Sequence, residues 1–339
     1  MRFLQACRRE KTDAVPIWFM RQAGRYLPEY RRLRSRHTML ELCRRPDLAV
    51  EITLQPVRRL GVDAAILFAD ILLPVEPMGL KLDFVKGEGP AICPPVRTAR
   101  DVARLRRVDP EEGLGYVLEA VRLLRRELDG GTPLIGFAGA PFTLASYMIE
   151  GGPSKDFRLT KNMMRAAPAL WDRLLGKLSV VIADFLRAQV AAGAQAVQLF
   201  DSWVGALSRE DYERFAQPYS RRVLRAAART GVPVIHFGTG TGPFLESFRD
   251  AGGSVVGVDW RTPMDEARKR IGPGRAVQGN LDPTHLFLPR RLLAAEVRKV
   301  LRGAGGRPGH IFNLGHGILQ HTPPDSVRAV VDWVHEWTA

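Results

Sequence analysis

Residues 196–201 read AVQLFD, a run of apolar residues with one glutamine that ends in an aspartate. A strand that alternates between a buried and a solvated face would place polar residues at every second position, and this run does not. Nearly continuous apolar runs of this length are typical of strands buried on both faces of a parallel sheet. The aspartate at its end then marks the point where the chain leaves the sheet.

Similar runs recur along the chain and are separated by stretches with helical periodicity. They are PIWF (16–19), AAILFA (64–69), LIGFA (134–138), PVIHFG (233–238), VVGVDW (255–260), AVQGNL (276–281) and HIFNLG (310–315). This alternation predicts an α/β fold, a single (β/α)8 TIM-type barrel over residues 1–339, with an open doubly wound sheet as the alternative. Residues 80–97 predict a hairpin insertion, and residues 154–190 predict extra helices.

The chain is strongly basic, with 50 lysines and arginines against 36 acidic residues and a net charge of +14. Of the basic residues 42 are arginine, and many lie on predicted helix faces, where solvated ion pairs explain them. No basic tail or nucleic-acid-binding module is recognisable, so we expect no nucleic-acid partner. The charge instead suits an anionic ligand.

The cysteines predict a reducing compartment. Cys7, Cys43 and Cys93 are widely spaced and odd in number, which predicts neither a disulfide framework nor a zinc site and favours the cytoplasm. The N-terminal segment is too charged for a signal peptide. The longest apolar segment, residues 178–200, is interrupted by Asp184 and Arg187, so we expect no membrane span.

Polar and small residues follow the predicted strands, where the functional groups of such barrels lie. They are Arg21, Asp70, Gly139, Asp201, Ser202, the segment 238–240, Arg261, Asp282 and His316. Because the carboxyl ends of the strands meet at one face of a barrel, we expect a polar ligand to bind there.

Four residues in these segments are candidates for chemistry, each with a competing interpretation. Asp70 in LFADILLP caps a turn or faces the barrel mouth, and His316 in NLGHGI lies on the surface or handles a proton. Tyr147 in GFAGAPFTLASYMIEGG is either a buried helix residue or part of the site. Ser202 lacks the G-x-S-x-G setting of a nucleophile, so a hydrogen-bonding role fits it better.

The segment HFGTGTG (236–242) is rich in glycine but does not match the dinucleotide-binding pattern G-x-G-x-x-G. We interpret it as a tight loop that leaves room for a ligand. His236 lies within the preceding strand, which predicts a satisfied core histidine.

The segment PIWFMRQAGRYLPEYRRLR (16–34) combines five arginines with aromatic residues. A core strand would not tolerate these charges, and Gly24 and Pro28 exclude one long regular helix. We therefore predict that its arginines are presented on a loop that leaves a strand end.

Two segments, PIWFMRQAGRYLPEYR and GFAGAPFTLASYMIEGG, resemble the signature segments of the uroporphyrinogen decarboxylase family. LFADIL, QLFDSW and NLGHGI occur in that family's order, so the resemblance covers essentially the whole chain. It implies a cytoplasmic homodimer of haem biosynthesis without cofactor or metal. This enzyme would convert the four acetate side chains of uroporphyrinogen III to methyls, giving coproporphyrinogen III and CO2.

The resemblance also implies the site residues. The catalytic candidates are Asp70, Arg21, Tyr147 and His316, and the substrate-binding candidates add Gln22, Arg25, Arg34, Phe137, Phe200 and Ser202. Arginine forks suit the eight carboxylates of the substrate, and aromatic walls suit its rings. Asp70 would hold the pyrrole N–H groups and stabilise a cationic intermediate, while Arg21, Tyr147, His316 and an ordered water remain alternatives for the proton donor.

Two other functions compete with this interpretation. A related zinc methyltransferase would need a His-x-Cys pair, but residues 236–238 read His-Phe-Gly and the three cysteines lie far upstream. A non-catalytic anion or tetrapyrrole carrier could use the same arginines, and only turnover distinguishes it from an enzyme.

Overall fold

The fold is organised by a parallel sheet whose strands follow one another in chain order. A computed structural model describes residues 1–85, 87, 89–128 and 130–339. In this part of the chain the strands are β1 (Ala65–Ile66), β2 (Lys81–Val85), β3 (Gly89–Cys93), β4 (Leu134–Gly139), β5 (Ala196–Asp201), β6 (Val234–Gly238), β7 (Val255–Gly257), β8 (Ala276–Gln278) and β9 (His310–Ile311).

Helices connect and cover these strands. Within the same residues they are α1 (Arg2–Cys7), α2 (Pro28–Arg34), α3 (Met39–Arg44), α4 (Pro46–Leu60), α5 (Ala99–Arg104), α6 (Pro110–Glu127), α7 (Pro141–Glu150), α8 (Arg158–Ala166), α9 (Pro168–Ala192), α10 (Arg209–Phe215), α11 (Gln217–Ala228), α12 (Leu245–Ala251), α13 (Met264–Ile271), α14 (Arg290–Ala304) and α15 (Pro324–Thr338). Short 3₁₀ turns lie at Leu73–Val75, Val204–Ala206, Gly242–Phe244 and Pro283–Phe287.

The order of the large sheet is β1-β4-β5-β6-β7-β8-β9, and each neighbouring pair is parallel. A doubly wound sheet would reverse its order at a switch point, and this sheet does not, so the barrel-type prediction is confirmed. All residues of β4 and β6 are buried, as expected for strands covered on both faces.

The first apolar run joins the two ends of this sheet. Phe312 N–H donates to Pro16 O at 2.8 Å, and Ile17 pairs with Phe312 as an isolated parallel bridge. On the other side, Asp63 N–H donates to Ile17 O at 2.8 Å, directly before β1. Residues 16–18 therefore close the ring between β9 and β1.

The short strand predicted at residues 16–19 is present only as a single bridge at Ile17, because side chains replace the rest of the expected ladder. Pro16 has no N–H to donate. The N–H of Ile17 donates to Asp63 Oδ2 at 2.8 Å, and the N–H of Phe19 donates to Gln22 Oε1 at 3.0 Å. The predicted strands at 255–260, 276–281 and 310–315 are likewise shorter than expected, ending at Gly257, Gln278 and Ile311.

The predicted additions to the barrel are present. The hairpin expected within residues 80–97 is formed by β2 and β3, which pair antiparallel with Lys81 opposite Cys93. Lys86 and Glu88, inside this segment, lie outside the described residues. The extra helices expected within residues 154–190 are α8 and α9.

The arginine-rich segment is only partly a loop. Arg21 and Arg25 lie in the loop after the first run, but Arg31, Arg32 and Arg34 lie on the short helix α2. Pro28 begins this helix at its first turn, where a missing N–H costs nothing. In the described part of the chain, no helix is long and apolar enough to cross a membrane.

The first prediction concerns ring closure by Gln22, which is fully buried. Its amide accepts from Phe19 N–H and donates to Ala64 O, each at 3.0 Å. Gln22→Leu leaves both backbone groups unpaired and should lower the free energy of unfolding by about 2–5 kcal/mol. Urea denaturation measures this loss.

The matched control is Gln195→Leu, because Gln195 Oε1 accepts a weaker hydrogen bond from Leu134 N–H at 3.3 Å in a partly exposed position. This control should cost less than about 1 kcal/mol. Equal losses in the two variants would contradict the role of Gln22 in closing the ring.

Candidate active site

Arg21 leaves the first run in a strained conformation that aims its side chain. Its φ of 59° lies in the left-handed region, which is uncommon for residues other than glycine. The stem of Arg21 lies against Gly317, where an added Cβ would stand 2.5 Å from Arg21 Cδ. Because Gly317 has no side chain, it leaves room for the side chain of Arg21. Arg21 itself remains exposed to solvent.

Asp70 follows β1 and is held by one backbone donor. The N–H of Leu72 donates to Asp70 Oδ1 at 2.9 Å. Burial raises the pKa of Asp70, while this N–H group and the charge of Arg21 act in the opposite direction. No partner of Oδ2 is found among the described residues, so this oxygen can accept hydrogen bonds from a ligand.

Tyr147 on α7 lies within electrostatic reach of Asp70. Burial and the negative charge of Asp70 raise the pKa of Tyr147 to about 12. Its ring packs against Trp203 with a centroid distance of 5.7 Å. The phenol is therefore protonated throughout the neutral range and serves as a hydrogen-bond donor.

His316 is neutral at physiological pH. Burial, followed by the positive charges of Arg21 and Arg261, lowers the pKa of His316 to about 4. Its Nδ1 accepts from the N–H of Gly317 at 2.6 Å, which places the imidazole proton on Nε2. His316 therefore presents an N–H donor rather than an acid.

Aromatic rings form an apolar wall across the neighbouring strands β4, β5 and β6. The ring centroids of Phe137 and Phe200 are 5.5 Å apart, and those of Phe200 and Phe237 are 5.9 Å apart. A Cβ added at Gly136 would stand 2.6 Å from Gln189 Oε1 on α9, so Gly136 faces the helix layer. Because successive residues of a strand face opposite sides of the sheet, Phe137 faces the barrel interior. This wall provides a surface for an apolar ring system.

Arg25 and Arg34 form a second group around Tyr30. Burial raises the pKa of the Tyr30 hydroxyl, whereas the positive charges of both arginines lower it. Arg25 Nη1 donates to Gln320 Oε1 at 3.4 Å, and Arg34 Nη1 donates to the backbone oxygen of His37 at 2.8 Å. The Tyr30 ring lies 5.6 Å from that of Phe68, two residues before Asp70.

The remaining candidate residues differ in whether the protein already uses their polar side chains. Ser202 is half-buried at the end of β5, and its backbone oxygen accepts from Thr239 Oγ1 at 2.6 Å. The amide of Gln22 is instead used entirely by backbone groups of the ring closure. Trp203, which the sequence places at the same strand end as Ser202 but which was not predicted as a site residue, packs on Tyr147.

Asp201 points away from this group of side chains. Its Oδ2 accepts from Ser220 Oγ on α11 at 2.8 Å and lies 3.5 Å from His236 Nε2. His236 is fully buried and stacks on Phe248 at 3.7 Å, so it is a core residue as predicted. It is not satisfied, however, since neither ring nitrogen has a hydrogen-bond partner in the described residues.

In the described ranges, no group of three or more histidine, cysteine, aspartate or glutamate side chains could hold a metal ion. Cys7 and Cys43 are buried free thiols, and Cys93 is an exposed one. The His236 position is thus not assembled like a zinc-thiolate site.

Several known proteins with sequences similar to this chain belong to one family. A family model described as uroporphyrinogen decarboxylase (URO-D) matches residues 1–337. A uroporphyrinogen decarboxylase of Sorangium cellulosum is 65% identical over 334 residues, which cover 98% of this chain and 95% of that protein. One of Solibacter usitatus is 57% identical, covering 99% and 97%.

The fold is shared more widely than the sequence. A methyltransferase from Methanosarcina mazei superposes with a TM-score of 0.80, covering 99% of this chain and 98% of that one. At 20% identity it shows the fold alone. The relatives and the family model together show that this chain belongs to the uroporphyrinogen decarboxylase family.

Proposed function

We propose that this chain removes CO2 from the four acetate side chains of uroporphyrinogen III and releases coproporphyrinogen III, without metal or cofactor. The observation that carries this proposal is the Asp70 carboxylate, which is partly buried, held by one backbone N–H and coupled electrostatically to Arg21 and Tyr147. Family membership supports the same reaction.

Substrate recognition follows from the two kinds of surface. Uroporphyrinogen is an apolar macrocycle with eight carboxylates around its edge. Arg21, Arg25 and Arg34 supply permanently charged planar donors for carboxylates, while Phe137 and Phe200 supply surface for the pyrrole rings. Ser202 and the Nε2–H of His316 add neutral hydrogen-bonding groups.

Asp70 acts on the reacting ring. The pyrrole N–H groups donate to its carboxylate, which favours the ionised form just as the Leu72 N–H does. Protonation of a ring carbon gives an iminium-like cation that accepts the electron pair released when CO2 leaves. The resulting exocyclic methylene takes up a proton to become the methyl group, and the ring proton is then returned. The fixed carboxylate stabilises the cation as it forms.

The protonation states of the site residues reduce the number of candidates for the proton donor. His316, with its pKa lowered to about 4, carries no ionisable proton to give at neutral pH. Tyr147, whose pKa is raised to about 12, and Arg21 both interact electrostatically with Asp70 and stay candidates, and an ordered water is the third alternative. We assign to His316 a hydrogen bond to substrate.

We also propose where the enzyme acts and how many subunits it has. The enzyme acts in the cytoplasm as part of haem biosynthesis, which the three free cysteines support. It acts as a homodimer, as the family resemblance implies. Residues 1–339 serve as one catalytic unit.

The direct test is turnover. Anaerobic incubation with chemically reduced uroporphyrinogen III should release four CO2 per macrocycle, and chromatography after oxidation should show coproporphyrin III. Release should persist after exhaustive chelation. Tight binding without CO2 release would identify a carrier instead and would sink the proposal.

The role of Asp70 is tested by Asp70→Asn. Asparagine caps a turn as well as aspartate does, so a merely local role predicts little change. Loss of the charge that stabilises the cation should lower kcat about 100-fold or more, while substrate affinity changes less. Single-turnover decarboxylation and substrate titration separate the two effects.

The matched control is Asp109→Asn, because Asp109 accepts from the N–H two residues on at 2.9 Å, in the same way as Asp70. This variant should retain wild-type kinetics. Activity of Asp70→Asn within threefold of wild type would contradict cation stabilisation.

A third test addresses His316, whose folded pKa of about 4 lies below its ordinary value. Protonation therefore opposes folding, and stability falls as pH drops from about 6.5 towards 4. Because the folded pKa is about 4, the ring is neutral in the folded protein from pH 5.5 upwards, so His316→Gln, which keeps a neutral N–H donor, should retain activity within about tenfold and an unchanged pH profile from 5.5 to 8.5. A loss of 100-fold with disappearance of an alkaline limb would restore His316 as the acid.

A further inference from the structure

The chain after β7 contains a guanidinium group that is fixed by a buried carboxylate. Asp259 is almost fully buried, and its Oδ2 accepts from the N–H of Gly240 at 2.6 Å and from Arg261 Nη1 at 2.7 Å. Its Oδ1 accepts from the Arg261 N–H at 3.2 Å. Asp259 therefore joins the glycine-rich loop at residues 238–242 to Arg261.

Trp260 fixes the other side of this arginine. Arg261 Cζ lies 4.0 Å from the centroid of the Trp260 ring, a cation–π distance. Stacking and the Asp259 pair together hold the guanidinium plane, yet 57% of the Arg261 side chain is exposed. More than half of this oriented side chain is therefore accessible to a ligand.

Arg261 lies on the rim of the same site. The Trp260 ring is 6.4 Å from the His316 ring, and an added Cβ at Gly315 would stand 2.2 Å from the Trp260 backbone nitrogen. After burial and Arg21, Arg261 is the next cause that lowers the pKa of His316. Arg21, in the loop after the first run, and Arg261, after β7, thus approach His316 from different segments of the chain.

We propose that Arg261 is a further carboxylate-binding residue of this site, and that Asp259 and the loop at residues 238–242 serve to position it. The inference rests on the proposed function, because the ligand is a macrocycle with carboxylates on all sides. Arg21, Arg25 and Arg34 all come from the segment between the first run and α3. A ligand with carboxylates on its whole edge needs a cation on the β7 side as well.

The geometry suits this role. Only Nη1 of the guanidinium is used by Asp259, and the other donors have no protein partner among the described residues. Arginine binds a carboxylate through two parallel N–H groups, and a plane held in advance loses less entropy on binding. Asp259 can therefore orient Arg261 without occupying its whole fork.

The experiment compares Arg261→Gln with Arg298→Gln. Arg298 stacks over Trp337 at the same 4.0 Å, but between α14 and α15, so it matches the Arg–Trp contact without facing the site. In Arg261→Gln the KM for uroporphyrinogen should rise about tenfold, with kcat within threefold of wild type. The dependence of KM on salt should weaken, because one charge on the rim is lost. Arg298→Gln should match wild type in all three.

Arg261→Lys separates binding from folding, because lysine can still pair with Asp259 but cannot form a fork. Its KM should lie between those of wild type and Arg261→Gln, at an unchanged unfolding midpoint. This variant decides the question if Arg261→Gln does not fold. A KM that is unchanged in the folded variant, or that changes only together with kcat and the unfolding midpoint, overturns the inference.

Failure of the proposed reaction is distinguishable from failure of this inference. Uroporphyrin, the oxidised macrocycle, keeps the eight carboxylates and is not decarboxylated, so fluorescence titration measures its binding alone. A wild-type protein without CO2 release but with about tenfold tighter uroporphyrin binding than Arg261→Gln would keep Arg261 as a carboxylate ligand. Equal uroporphyrin affinities would remove it whatever the turnover.

Discussion

The structure depends on closing a parallel ring at the point where regular pairing is weakest. Residues 16–18 join β9 to β1 through a few backbone hydrogen bonds, and the remaining donors are satisfied by Asp63, Gln22 and Asn313. Buried backbone groups without partners would be costly. Because these side chains complete the ring, the carboxyl ends of β1 and β9 lie next to the loop that begins at Arg21. The site therefore forms only when the ring is closed.

The alternation of buried strands and amphipathic helices could be predicted from sequence, because periodicity and burial are local properties. The lengths of the strands at residues 16–19 and 276–281 could not. They depend on which side chain reaches a given N–H, and Asp63 lies far from Ile17 in sequence. The helical placement of Arg31 and Arg34 was missed for a different reason, since Pro28 can either stop a helix or begin one.

The site was predictable to the extent that strand ends converge. The charge of Arg21 acts on the pKa values of Asp70, Tyr147 and His316, and the charge of Asp70 acts on that of Tyr147, although these residues come from four separate segments. Side-chain direction was not predictable. Asp201 also ends a strand, yet it turns towards Ser220 and His236, because burial there is compensated by hydrogen bonding from the helix layer.

The protonation states explain why a strongly basic chain keeps a poorly compensated carboxylate at its centre. Burial raises the pKa of Asp70, so folding favours its protonated form, this contribution to stability is lost as pH rises through the folded pKa, and ionising the group is a cost to the fold. The nearby cation Arg21 is exposed and reduces this cost only in part. A carboxylate satisfied fully by Arg21 would be more stable but would have little left to offer a pyrrole cation.

Asp259 shows the alternative, because it is buried with donors on both oxygens and is therefore suited to position Arg261. Two aspartates after parallel strands thus differ in role because they differ in how completely the protein satisfies them.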